Sequence, residues 1–387
     1  MYCLSGEGAP RVVFTTPTLA HYRVKFHERV RELLASRGVE YRVVYGPPSV
    51  DGEEKGDCTD ISWGTKVPNH YGKGPFRRVL WQPFLREIHA GDLVVLPQEN
   101  RVLTNYIIQT MRSRWSIRVA LWGHGRNFQS AYRDGPMERW KRFWAVQCDW
   151  WFTYTDQTAA MIAGYGFPRE KITVIQNAVD TSELRSLANS VDQEDITLLR
   201  RRWDLDTESV GIYVGSLYRE KRIDFLIKAA VTIRECIPNF VLIIIGNGPD
   251  RHLVEEAAAQ HSWVRYFGRR FGREKVELLK LSRVFLMPGA VGLAVLDCLA
   301  LGLPMIATDY PLHGPEIAYL HDGENGVIAR DWRNFASYAQ QVVRCMQDNA
   351  LHTRMVSSGL ESGKRYTIEN MAQRFVSGAL KALEIDS

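Results

Sequence analysis

The sequence lacks any uninterrupted apolar run approaching the roughly 20 residues that cross a bilayer. Its opening, MYCLSGEGAPRVVF, lacks the basic segment and following apolar segment of a secretory leader. Both absences lead to the expectation of a cytoplasmic protein, soluble or peripheral on the inner face of the cytoplasmic membrane. Cysteine is sparse: Cys3, Cys58, Cys148, Cys236, Cys298 and Cys345 stand far apart. That spacing argues against zinc sites and against a disulfide framework, and it fits a reducing compartment. No run of metal ligands stands out, so neither a metal nor a cofactor is expected. A G-x-G-x-x-G turn after a strand is also missing, which counts against a dinucleotide oxidoreductase. Fixed-period repeats and low-complexity segments are absent too.

What is present is ordinary in amount and uneven in placement. At 387 residues the chain exceeds what one core usually serves, about 250–300 residues, and reads as two domains. Apolar residues make up 45% and charged residues 24%, as in globular proteins generally. Residues 1–180 hold 24 Lys+Arg against 18 Asp+Glu, whereas the remainder holds 25 against 26. Eight of the 11 tryptophans also precede residue 180. A basic, Trp-rich first half suits an anionic membrane surface or a lipid-linked partner better than duplex nucleic acid. The segment 137–151, MERWKRFWAVQCDWW, concentrates this composition: Arg139, Lys141 and Arg142 interleave with Trp140, Phe143 and Trp144. It reads either as an interfacial helix or as a helix whose aromatics pack on a sheet.

Short apolar runs alternate with amphipathic stretches, the pattern of βα units and parallel sheets. Strands are expected at 11–15, 41–45, 92–97, 118–122, 151–154 and 171–175, with a clear helix at 23–37. The Gly-, Pro- and Asp-punctuated stretch 46–77 reads as a long loop, of the kind that contacts substrates. Residues 181–208 are polar, partly helical and without a strand, and are expected to connect the domains. The alternation restarts with strands at 210–215, 240–246, 264–268, 284–288 and 304–308. Helices are expected at 222–236, 249–260, 273–281, 292–301, 331–347, 352–363 and 369–385. The expected organisation is therefore a first domain over 1–180, a connection over 181–208 and a second domain over 209–365. A C-terminal helix, 366–387, crosses back to the first domain. Two doubly wound halves would face a central cleft bounded by strand C-termini.

Four strand-end loops carry chemistry. In VGIYVGSLYREKRIDF a strand ends at Gly215, Ser216 and a polar loop follow, and Lys221 stands where a helix begins. Helix N-terminal amides beside a lysine suit a phosphate, although such a loop is also what a solvated turn looks like. IIIGNGPD, with Gly246 and Gly248, reads as a tight turn. In PGAVGLAVLD, Gly289 and Gly292 let main-chain amides approach a ligand. Asp297, early in the helix that follows, can take paired hydroxyls such as a ribose presents, or simply complement the helix dipole. In the first half, RVALW runs into GHGRN, placing His124 between glycines at a strand end.

The order GSLYREK, IGNGP, RYFG, PGAVGLAVLDCLALGLPMIATD, GPEI and DGENGVIA resembles the retaining glycosyltransferases of family 4, with GHG and GYGFPREKITVIQNAVD agreeing in the first half. The resemblance implies the two-domain GT-B fold, with the acceptor on the first domain and a nucleotide-sugar donor on the second. It implies catalytic roles for Lys221, on the donor diphosphate, and for His124, facing the donor sugar. Arg219 would supply the charge the family usually places where Ser216 stands. Gly215, Ser216 and Gly246 would border the donor, and Tyr266, Gly268 and Arg269, within 264–270, would line the base. Gly289, Val291, Gly292 and Leu293 would approach the distal phosphate, and Asp297 would hold the ribose. On the acceptor side, TPTLAHYR (16–23) replaces the family's glycine-rich loop, with Thr16, Tyr22 and Arg23 as its polar groups.

One departure stands out. Asp297 matches the second acid of the family's E-x7-E motif, and Gly289 stands where the first belongs. The implied reaction is transfer of a hexose-type sugar from a UDP- or GDP-sugar to a saccharide, lipid-linked in bacterial surface-polysaccharide assembly, without metal. Two alternatives remain open: a catalytically impaired chain that binds nucleotide sugars or glycans, and another GT-B enzyme such as a nucleotide-sugar epimerase or a phosphorylase.

Overall fold

The computed structural model describes residues 9–48, 58–125 and 135–385, and the structural statements below concern those residues. The chain divides into two compact units, Met1–Asp180 with Thr367–Ser387, and Thr181–Tyr366. In the first unit lie β1 (Arg11–Thr18), β2 (Glu40–Gly46), β3 (Thr65–Lys66), β4 (His70–Tyr71), β5 (Leu80–Trp81), β6 (Leu93–Pro97), β7 (Arg118–Gly123), β8 (Trp150–Thr153) and β9 (Ile172–Val174). Seven of these form one sheet in the order β3-β2-β1-β6-β7-β8-β9, parallel throughout. β4 and β5 pair separately and antiparallel.

Both faces of this sheet are covered, which is why its strands read as continuous apolar runs. Val12 and Phe14 belong to one core with Phe26, Val30 and Leu34 of the helix Val24–Ala35. Val13, between them in sequence, belongs to the opposite core with Val44, Val94 and Trp151. The C-terminal helix Ile368–Leu383 completes the first core. Phe375, fully buried, packs its ring 4.5 Å from Phe152, 5.6 Å from Phe26 and 5.7 Å from Trp122. Thr367 caps that helix by accepting from the Asn370 amide at 3.2 Å.

The second unit holds β10 (Val210–Val214), β11 (Val241–Ile245), β12 (Val264–Tyr266), β13 (Val284–Met287), β14 (Met305–Thr308) and β15 (Gly326–Ala329). Their order is β12-β11-β10-β13-β14-β15, all parallel. Each sheet is built outward one way from its first strand and then the other way. The reversal falls between β1 and β6 in the first unit and between β10 and β13 in the second, and ligands of such sheets bind at these points.

Three stretches differ from the sequence reading. Within the expected long loop 46–77, Thr65–Lys66 joins the sheet edge beside β2 and His70–Tyr71 pairs with β5. The part of that loop at 49–57 lies outside the described residues, as do Arg126 and Asn127 after the GHG turn. Residues 181–208 fold into the helices Ser182–Asn189 and Gln193–Arg202 within the second unit. The second of them is fastened there through Glu277, 1% exposed, which accepts from Trp203 Nε1 at 3.1 Å and pairs with Arg202 at 3.2 Å and with Arg273 at 3.1 Å. β15 was not expected, because GVIA is too short an apolar run to register as a strand.

Candidate functional site

The second unit's switch point is made largely of main chain in close contact. Gly215 donates its amide to Ile245 O at 3.0 Å, and Leu217 donates to Asn247 O at 2.9 Å, so the loops after β10 and β11 lie against each other. A Cβ on Gly246 would fall 1.8 Å from Gly215 O, and one on Gly248 would fall 2.2 Å from Leu217 O. These glycines are required by that close approach of main chain. Tyr266 spends its hydroxyl on Gly246 O at 3.0 Å, and Gly268, at φ +64°, accepts from the Gly246 amide at 2.8 Å. Ser216, Arg219 and Arg269 are exposed at the rims of these turns.

The loop after β13 meets the loop after β10 in the same way. A Cβ on Gly289 would lie 2.2 Å from Glu220 O and 2.6 Å from Lys221 O. The Ala290 amide donates to Glu220 O at 2.8 Å, and the Lys221 ammonium donates back to Ala290 O. The position of the absent family glutamate is therefore filled by the main chain of residues 220–221. Burial pulls the Lys221 amine down to about 8, against the attraction of Glu316, which is 5% exposed. Its ammonium also lies 5.6 Å from the Tyr218 ring. Arg222 adopts the left-handed conformation at φ 58°. It stacks on Phe225 at 4.1 Å and Trp332 at 4.9 Å and serves packing.

Val291 does not present a free amide. Its N–H donates to His313 Nδ1 at 3.0 Å, and its carbonyl accepts from the Gly314 amide at 2.9 Å. Gly292 and Leu293 follow at the N-terminus of the helix Ala294–Leu301, and their amides make no hydrogen bond among the described residues. One lysine and two open amides thus sit where a helix dipole favours an anion. One turn into that helix, Asp297 pairs through Oδ2 with Lys275 Nζ at 2.6 Å, both half-buried. An acid so held is oriented by the ammonium, and Oδ1 is left to accept from a hydroxyl.

In the first unit, the strand ends carry side chains. Gly125, at φ +75°, turns the chain after His124, and Gln98 Nε2 donates to its carbonyl at 3.0 Å. The His124 ring lies 4.4 Å from Tyr154, and Trp122 Nε1 donates to Tyr154 Oη at 2.6 Å. Burial, with Lys141 and Arg23 nearby, depresses His124 to about 4, so it is neutral at physiological pH. Arg23 is not a free cation, and residues 16–18 of its stretch belong to β1. It donates to Asn177 Oδ1 and, at 3.2 Å, to Ala178 O, with Tyr154 5.6 Å from the guanidinium. Thr16 donates its hydroxyl to Thr18 O at 2.9 Å, and Tyr22 is exposed.

Sequence reasoning missed His313 and gave Glu316 no role. The one available signal was position: DYPLHGPEI follows β14 as GHG follows β7, and each puts a histidine beside glycine at a strand end. No group of three His, Cys, Asp or Glu among the described residues is placed to hold a metal.

Residues 208–348 match the family model "Glycosyl transferases group 1", and residues 26–183 match "Glycosyltransferase Family 4". Both models describe glycosyltransferases, and together they take in 299 of the 387 residues (158 and 141). Among curated relatives, the GtfA subunit of the UDP-N-acetylglucosamine–peptide N-acetylglucosaminyltransferase of Streptococcus pneumoniae is 23% identical over 73% of the chain and 55% of that protein. The chain thus spans about half that relative's length. EpsD of Bacillus subtilis is 25% identical over 67% of this chain and 69% of its own. Among solved structures, Anabaena HepE in complex with UDP superposes with TM-score 0.68 at 13% identity, covering 95% of this chain and 98% of that one. At that identity the likeness shows the fold, which is GT-B.

Proposed function

We propose that this chain is a retaining glycosyltransferase. It would move a hexose-type sugar from a nucleoside diphosphate sugar to a hydroxyl of a saccharide acceptor, without a metal. The observation that carries this reading is the Lys221 ammonium beside the open amides of Gly292 and Leu293, with Asp297 one turn further on. The sugar C1–O bond to the diphosphate breaks toward an oxocarbenium-like state. The acceptor oxygen bonds C1 on the face the diphosphate leaves, and a diphosphate oxygen takes the acceptor proton. Lys221 and the helix N-terminus stabilise the charge that develops on the leaving group. UDP in HepE and the UDP-N-acetylglucosamine named for the pneumococcal relative make UDP-sugars the first donors to test.

The test is donor hydrolysis and transfer with a panel of UDP-, GDP- and ADP-sugars, with product anomers read by NMR and EDTA as a second arm. Net retention undiminished by EDTA is expected. Inversion overturns the mechanism, and nucleotide-sugar binding without turnover supports the impaired-enzyme reading that Gly289 raises.

For the acceptor we propose a lipid-linked saccharide presented at an anionic membrane surface. On the helix Pro136–Ala145, Trp140 and Phe143 are 48% and 56% exposed, and Arg139 and Arg142 are exposed with them. Among the described residues no helix is long and apolar enough to cross a membrane. Flotation with anionic and neutral vesicles tests this, and equal recovery with both overturns it.

A further inference from the structure

His313 lies outside every role assigned above, yet both its ring nitrogens are engaged at the donor loop. Nε2 meets the Thr308 carbonyl at 2.8 Å, an acceptor only, so this nitrogen carries the proton. Nδ1 is then a lone pair, and it accepts the Val291 N–H at 3.0 Å. The neighbouring Gly314 amide donates to Val291 O at 2.9 Å. Val291 is thereby held on both sides from the segment after β14. Ala290, one residue earlier, is held from the loop after β10, through Glu220 O at 2.8 Å and the Lys221 ammonium. The β13 loop is pinned from two directions up to residue 291, and its amides open only at Gly292.

We propose that His313, as the neutral Nε2–H tautomer, is the positioning residue that aims the Gly292 and Leu293 amides and the Lys221 ammonium at a common diphosphate. The inference rests on the diphosphate reading of that site. The acceptor at Nδ1 diverts the Val291 amide, which would otherwise compete for the ligand, and fixes the main-chain direction entering the helix. A protonated ring would set a second N–H against the Val291 N–H, and the clamp would open. The charged and titratable groups that face the ring are Lys221 from the β10 loop and Asp309 and Tyr310 from its own segment. Burial and Lys221 disfavour the imidazolium, and the Thr308 bond and Asp309 oppose them only in part.

The experiment measures binding of pyrophosphate, a probe independent of the base, alongside UDP, GDP and ADP by calorimetry. His313→Ala should weaken pyrophosphate and nucleotide binding about tenfold, the scale of one lost hydrogen bond. His313→Asn places an amide oxygen where Nδ1 stands and should restore most of that loss. On acidification below pH 6.5 the wild-type chain should lose pyrophosphate affinity faster than His313→Asn, whose acceptor does not titrate. The pH comparison does not depend on whether His313→Ala folds. Wild-type affinity in a folded His313→Ala chain, an Asn variant no better than Ala, or parallel pH curves would each overturn the inference alone. A wild-type chain that binds none of the four probes would instead overturn the diphosphate reading, and this inference with it.

Discussion

At the ends of β7 and β8 in the first sheet the chain carries large side chains, whereas the loops after β11 and β13 in the second carry glycines and bare main chain. Trp122, His124, Tyr154 and Arg23 fill the first with rings and a tethered guanidinium. Gly246, Gly248 and Gly289 let loops touch backbone to backbone in the second. One parallel architecture thus supports two kinds of surface. Fixed amides suit a ligand part that never varies, such as a diphosphate. Side chains can be exchanged singly, which suits a ligand that differs between enzymes.

The largest effect that would sharpen this contrast is Phe375→Ala. It should cost the first unit about 3–5 kcal/mol in urea unfolding, because the ring is fully buried among Phe152, Phe26 and Trp122. UDP affinity of the folded protein should not change, and a parallel loss would break the division of labour.

Lys221→Ala should lower turnover about 100- to 1,000-fold, as removal of a charge-stabilising donor does. Thermal stability should hold or rise, since a costly buried ammonium is gone. Unchanged transfer would sink the assignment.

Gly289→Ala should lower kcat/KM about 30-fold or more, equivalent to about 2 kcal/mol, by forcing the 220–221 main chain away. If Gly289→Glu restores or raises activity instead, the steric account of this glycine fails.

Lys221 also sets a pH dependence. UDP affinity should weaken as pH rises through about 8, where the ammonium loses its proton, while His124, at about 4, stays neutral throughout. The stability sign is opposite. The unfolded lysine holds its proton to about 10.5, so folding becomes more favourable with rising pH between about 8 and that value. Titration calorimetry and melting curves across that window separate the two.

The smallest expected effect is Asp297→Asn, about tenfold in nucleotide affinity, from weakened hydroxyl contacts and loss of the Lys275 pair. Equal loss of pyrophosphate affinity in that variant would move Asp297 from the ribose to the phosphates.

The strands were legible because both sheets are buried on two faces, so VLIII and LVVLP read as apolar runs. The glycine loops and Lys221 were legible because each follows such a run. The tryptophans were less so. Trp150 and Trp151 share the composition of Trp140, yet they occupy β8 and are buried, while Trp140 is half exposed. Local composition does not say which face of an element meets the core.

The sequence by itself determined two parallel α/β units, the strand-end loops and the likeness to family-4 glycosyltransferases, because hydrophobic period and glycine placement are local properties. Tertiary structure alone decided how those loops engage one another. It filled the space beside Gly289 with the main chain of 220–221, gave the Val291 amide to His313 and bound Arg23 to Asn177 and Ala178. Each is a contact between segments distant in sequence, where a hydrogen bond already made removes a donor from the ligand's reach.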